Sequence, residues 1–217
     1  MCYNTMAMLD YAAAAAQKAQ LKRGKSADQK LAIDYLVPKT GIMGMLTNKK
    51  DEEYDAVLKT LVDGFGSYKR AINKIGLDED ELKEIPPVTL YGYEDEKAQL
   101  SRVGKDGVFR SNLYSITHLF FSATQVYMYQ VILDTISNTK KERTEEYFYK
   151  DITNFSTSSD SLEVTYYKGC AGTPAKGTVE IQRFGLIVPG DKFTCGTYGD
   201  IEQQVKAMKN KLREKKM

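Results

Sequence analysis

The spacing of apolar positions changes near the middle of this chain. From Asp51 to Ile75, residues Tyr54, Val57, Leu58, Leu61, Phe65, Tyr68, Ile72 and Ile75 recur at three- and four-residue steps, which makes one stripe on a helix. Asp51, Glu52 and Glu53 suit the positive end of its dipole, and Lys69, Arg70 and Lys74 suit the negative end. Gly76 ends it, with Leu77 placed for the apolar contact beyond a glycine cap. Gly64 and Gly66 fall inside the pattern, which predicts close backbone packing or a bend. Two helices are expected before it: Met6–Arg23, closed by Gly24, and Ala27–Leu36, capped by Ser26 and stopped by Pro38. Lys39–Lys50 carries Ile42, Met43 and Met45 between glycines and reads as a loop over apolar surface, with a membrane-touching loop as the alternative. Asp78 caps a short acidic helical turn through Glu84.

Beyond Pro86-Pro87 the pattern becomes β-type. Val88–Tyr93 alternates like a strand, and Gly104–Gly107 is a turn. Leu113–Phe121 and Gln125–Leu133 form a hairpin through Ser122-Ala123-Thr124. Asn138–Arg143 reads as a polar, basic turn. Further strands are expected at Glu145–Lys150, Thr153–Ser158, Leu162–Tyr167, Thr178–Arg183 and Lys192–Thr197, with a loop over Gly169–Gly177. These seven strands from Leu113 onward predict an antiparallel meander, closed or nearly so. Asp200 caps a final helix whose stripe of Ile201, Val205, Met208 and Leu212 fits the open end of a small barrel. In Val126–Leu133 both alternating sets are apolar, which predicts two covered faces, the outer one under the N-terminal helices.

Seven antiparallel strands and a C-terminal amphipathic helix resemble a pleckstrin-homology (PH-like) fold. The run Glu145-Glu146-Tyr147-Phe148-Tyr149-Lys150-Asp151-Ile152-Thr153 resembles the third-to-fourth strand passage of bacterial PH-like domains, where an aromatic strand runs into an Asp-Ile step. Gly177-Thr178-Val179-Glu180-Ile181, then Lys192-Phe193-Thr194-Cys195 and the helix, keep that order. The resemblance covers Leu113–Lys216 and no part of residues 1–87. With the helical patterns before Pro86-Pro87, the expected chain is α+β: a helical region over 1–87 and a PH-like seven-stranded antiparallel barrel with its capping helix over 88–217. It implies a binding scaffold for phosphoinositides, peptides or proteins, since a fold by itself assigns no function. Lipid-binding members carry basic residues at the first hairpin turn, whereas Ser122-Ala123-Thr124 is uncharged.

Composition narrows the reading. The 217 residues are 42% hydrophobic and 28% charged with a net charge of +2, a globular balance too near neutrality for bulk attraction to nucleic acid. No apolar run approaches the ~20 residues of a membrane span, and Met1–Gln17 lacks the basic start of a signal peptide. Three cysteines without CxxC spacing indicate no metal site and fit a reducing cytoplasm. Cys170 and Cys195 are expected about 9–10 Å apart across an intervening strand, too far for a disulfide. His118, the one histidine, reads as a hydrogen-bonded structural residue. Gly169–Gly177 connects strands, so it is not a phosphate loop.

The expectation is therefore a cytoplasmic, non-enzymatic binding protein without cofactor that engages a protein partner at a strand edge or the Asn138–Arg143 side. The alternative is a membrane-surface adaptor holding anionic lipid. The candidate binding residues are Lys140, Lys141 and Arg143 in the basic turn and Lys209, Lys211 and Arg213 on the final helix. For the basic helix end, a solvated cap of the dipole, a pairing with Asp78–Glu96, and contact with an anionic membrane or nucleic acid all stand open, the last ranked lowest.

Overall fold

The computed structural model describes residues 2–4, 17–39, 46–78, 86–168, 173–199 and 201–216. Strand β1 (Cys2–Asn4) is followed by a helical piece over 17–21, and Gly24 turns the chain with φ +70°. The earlier part of the expected Met6–Arg23 helix lies outside the described residues. Helix α1 (Ala27–Leu36) starts at the predicted cap: Gln29 N donates to Ser26 Oγ at 3.2 Å, and Ser26 N donates to Gln29 Oε1 at 3.0 Å. The expected helix Asp51–Ile75 is two helices, α2 (Asp51–Phe65) and α3 (Ser67–Ile75), broken at Gly66, whose φ is +62°. A Cβ at Gly64 or Gly66 would meet nothing within 4 Å, so the break reflects left-handed backbone and not tight packing. Gly76 ends α3 as expected, and Leu77 is buried beyond it. The expected loop over 40–45 and most of the acidic turn after Asp78 lie outside the described residues.

The strands are β2 (Val88–Tyr93), β3 (Ser101–Val103), β4 (Phe109–Ser111), β5 (Leu113–Phe121), β6 (Gln125–Asp134), β7 (Lys140–Phe148), β8 (Asn154–Lys168), β9 (Thr173–Val188) and β10 (Asp191–Thr197), and α4 (Glu202–Lys216) follows. They form two antiparallel sheets, ordered β2-β5-β6-β7 and β10-β9-β8-β1-β3-β4. This corrects the expectation of one closed seven-stranded barrel. From Leu113 onward there are six strands, because Thr153–Ser158 and Leu162–Tyr167 belong to one strand. Asp160 stays in the ladder opposite Ile181, so Ser159–Ser161, between the two expected strands, is an exposed stretch of one extended strand and not a turn. Residues 173–177 are likewise strand, and the expected basic turn is strand from Lys140 onward. The β3–β4 hairpin, built around the predicted Gly104–Gly107 turn, had no strand signal of its own because each arm is three residues long.

Three apolar clusters hold these layers together. Between the sheets, Leu119, Met128, Phe155, Phe184 and Phe193 pack with Val205, Met208 and Leu212 of α4, so the predicted stripe closes one end of the space between the sheets. On the outer face of β5–β6, Ile116, Phe120, Tyr129 and Val131 pack under Ala71 of α3 and Leu77, which covers both faces of that hairpin as expected. A third cluster joins α1 and α2 to Val103, Phe109, Val164 and Ile181. Packing therefore crosses residue 87 in two places. Charge reinforces it: Arg110, 4% exposed, donates to Asp55 of α2 (Nε to Oδ1 and Nη2 to Oδ2, both 2.8 Å) and to Asp106 at 2.8 and 2.9 Å. Arg102 is also buried; its Nη1 donates to Tyr35 O at 2.8 Å, and its guanidinium lies 4.5 Å from the Tyr35 ring centroid.

Candidate functional site

Residues directly opposite one another in an antiparallel ladder share a face. On the inner face of the four-stranded sheet the rows run Phe121–Val126–Tyr147, Leu119–Met128–Glu145, Thr117–Gln130–Arg143 and Ser115–Ile132–Lys141. The face thus passes from apolar to polar along the strands. Helix α4 covers the apolar end. The polar end opens as a cleft of about 420 Å³, whose lining includes Lys141, Arg143, Lys97, Arg183, Glu94 and Gln130.

The charges in this cleft are unequally satisfied. Arg183 donates to Asp95 at 2.5 Å and to Asp160 at 2.7 Å. Arg143 is ion-paired with Glu145 and lies 5.4 Å from the Phe193 ring centroid. Asp134 is engaged by the β6–β7 turn, accepting from Ile136 N at 3.1 Å and Ser137 Oγ at 2.6 Å. Lys97 and Lys141 have no ion-pair partner among the described residues. Burial pushes the Glu94 carboxyl above its ordinary range, although hydrogen bonds from Ser115 and the Gly196 backbone oppose the shift. Its Oε1 is buried without a protein partner.

Lys141 and Arg143 stand on β7, and β7 is an edge. No other element is hydrogen-bonded to its far side among the described residues. The opposite edge of that sheet differs, since β2 meets β10 and Tyr198 N donates to Tyr91 O at 2.6 Å. The remaining sheet edge, β4, is three buried residues long. Among the described residues β7 is open along all nine of its residues, and most of its side chains are exposed or half-buried. Two stretches of the other sheet are also unpaired on one side among the described residues: β8 over 154–165, where β1 pairs only Tyr166 and Tyr167, and β9 over 173–181, where β10 pairs only 182–188. Of these, β7 is the open edge that borders the cleft.

The expected cluster at 140–143 is split by strand alternation. Lys141 and Arg143 face the cleft; Lys140 borders its end, but its Nζ reaches the outer face, 4.7 Å from the Phe65 ring centroid and 3.1 Å from Glu142. Lys209, Lys211 and Arg213 lie on α4 at the other end of the space between the sheets; Lys211 pairs with Glu214 at 3.5 Å, and Arg213 donates to Asn210 at 3.5 Å. Lys141 and Tyr147, at the two ends, are about 20 Å apart along the strand, so the two basic groups do not form one surface. Sequence reasoning missed Lys97, Arg183 and Glu94. Only long-range pairing brings them here, as the 88-residue separation of Arg183 from Asp95 shows.

His118 is structural. It is 2% exposed, with Nδ1 2.9 Å from Thr89 Oγ1 and Nε2 2.9 Å from Ser67 Oγ, and burial lowers its pKa to about 4. It thereby links β2, β5 and α3. Cys195 is buried as a free thiol whose pKa burial pushes up to about 12, which makes it a poor nucleophile; Cys170 lies outside the described residues. A second groove, of about 330 Å³, runs between α2 and the β2–β10 junction, bordered by Tyr91, Tyr198, Tyr114 and Asp63. Among the described residues no group of three or more His, Cys, Asp or Glu side chains is placed to hold a metal ion, and no helix is long and apolar enough to cross a membrane. No family model, curated protein or solved structure matches the chain.

Proposed function

We propose that this protein is a non-enzymatic, cytoplasmic binding protein that takes an extended segment of a protein partner along the edge of β7. The open nine-residue edge beside a polar cleft is the observation that carries this reading. Such an edge offers a row of backbone donors and acceptors, and adding a strand satisfies them while neighbouring pockets select side chains. The element order supports a PH-like unit over 88–217: four strands (β2, β5, β6, β7), three more (β8, β9, β10), and a helix over the open end. In this reading Val88–Tyr93 supplies the first strand, the β3–β4 hairpin is an insertion, and the helices of residues 1–87 buttress the first sheet. PH-like scaffolds serve binding, and the function lies in the surface they present.

Panning a displayed library of linear peptides on the full chain tests the reading. Bound peptides should slow amide hydrogen exchange across Lys140–Phe148. Binders that leave those amides unprotected would overturn the edge assignment.

A further inference from the structure

Occupation of the β7 edge has a consequence for the partner's chemistry. This step rests on the edge-docking reading and adds a charge requirement to it. An added strand continues the pleat, so its side chains alternate between the two faces. On the inner face it extends the existing rows. One partner side chain stands beside Arg143, and the one two residues away stands beside Lys141. Both project toward the cleft mouth, where Lys97 also has no ion-pair partner among the described residues. The next inner row carries Glu145, which is already paired with Arg143. Like charges directly opposite one another destabilise a sheet, so a third acidic side chain beside Glu145 is disfavoured. The outer face offers Lys140, Glu142, Thr144 and Glu146, a mixture that selects no sign.

We infer that the β7 edge binds an extended protein segment carrying acidic side chains at two alternate positions, i and i+2, which face Lys141 and Arg143. The cleft supplies the cations, and the backbone edge supplies the pairing. Two carboxylates at this spacing meet Lys141, Arg143 and Lys97, whereas one glutamate in every inner row would set a carboxylate against Glu145.

The test uses the full chain and three fluorescent peptides of about nine residues, the length of β7. They share a Thr/Ser background and carry Glu, Ser or Lys at two central alternate positions, so strand direction does not matter. The Glu peptide should bind roughly tenfold more tightly than the Ser peptide, with the difference shrinking as salt rises, and the Lys peptide more weakly than either. All binding should be accompanied by slowed exchange of β7 amides. The double variant Lys141→Glu/Arg143→Glu should invert the order of the Glu and Lys peptides. Lys97→Glu, off the edge strand, should weaken the Glu peptide and leave the Ser peptide unchanged. Equal affinity for all three peptides with β7 protected would overturn the acidic requirement and leave edge docking standing. Failure of every peptide to protect β7 would overturn edge docking itself. Vesicles containing phosphatidylserine that bind the native chain, but not the double variant, while no peptide protects β7 would assign the cations to a membrane instead.

Discussion

Gly92 of β2 and Gly196 of β10 meet backbone to backbone. A Cβ on Gly92 would fall well inside contact distance of the Gly196 carbonyl and 2.6 Å from Thr197 N. The two sheets can join here because neither residue has a side chain. Gly92→Ala should cost about 3 kcal/mol or more, since backbone on the far side cannot move as a side-chain tip would. Urea denaturation measures it. A change below about 0.5 kcal/mol, the range of ordinary surface substitutions, would show that the sheets are not held at this point.

Arg110 joins helix α2 to the β3–β4 hairpin through Asp55 and Asp106. The guanidinium is 4% exposed, while the carboxylates are 45% and 43% exposed, so water screens much of the attraction. Arg110→Met should therefore destabilise by about 2 kcal/mol, less than a fully buried pair would lose. Asp55→Asn should cost about 1 kcal/mol and should change little further in the Arg110→Met background. A double-mutant cycle by chemical denaturation reads that coupling.

The buried imidazole of His118 makes stability pH-dependent. Its pKa falls from 6.5 to about 4 on folding, so between those values the unfolded chain binds a proton that the folded chain does not. Stability from this group is complete above about pH 6.5 and is lost as pH falls toward 4, on the order of 3 kcal/mol in all. The raised Glu94 carboxyl acts in the opposite direction at the acidic end, so the comparison is native against His118→Asn. The difference between their urea midpoints should shrink steadily from pH 7 to pH 4. A difference independent of pH would reject the lowered pKa.

A cut near Pro86 should leave the two pieces associated. Helix α3 lies on the outer face of β5–β6, and β1 pairs with both β3 and β8. A protease site inserted after Pro86 and cleaved in the folded protein should give two bands on a denaturing gel and one species of intact mass in gel filtration. Release of a folded, soluble fragment starting near Leu113 would contradict this packing.

Local features were readable from the residues alone where the forces act over a few positions. The Ser26–Gln29 cap, the Gly76 stop, the β5–β6 hairpin and the α4 stripe all have signals spanning one or two turns of chain. The double apolar alternation of Val126–Leu133 carried long-range information as well, because a strand that is apolar on both sides must be covered twice. Errors arose where local chemistry imitates two structures. Polar runs at Ser159–Ser161 and Asn138–Arg143 look like breaks between strands, yet one is an exposed stretch inside a long strand and the other is largely an edge. The apolar spacing continues across Gly66 and predicts one helix with close packing or a bend at that point; the left-handed backbone of Gly66 makes the bend and ends one helix where the next starts, so only the continuity fails.

The sequence by itself determined the helices, most of the strand sites and the covered hairpin, since periodicity and capping are properties of neighbouring residues. Long-range pairing settles that the strands divide into two sheets, that the β7 edge beside the cleft is left open, and that Lys97 and Arg183 join Lys141 and Arg143 around that cleft. Those outcomes depend on which distant strands pair, as β1 does with β8 across most of the chain, and no local periodicity encodes that choice.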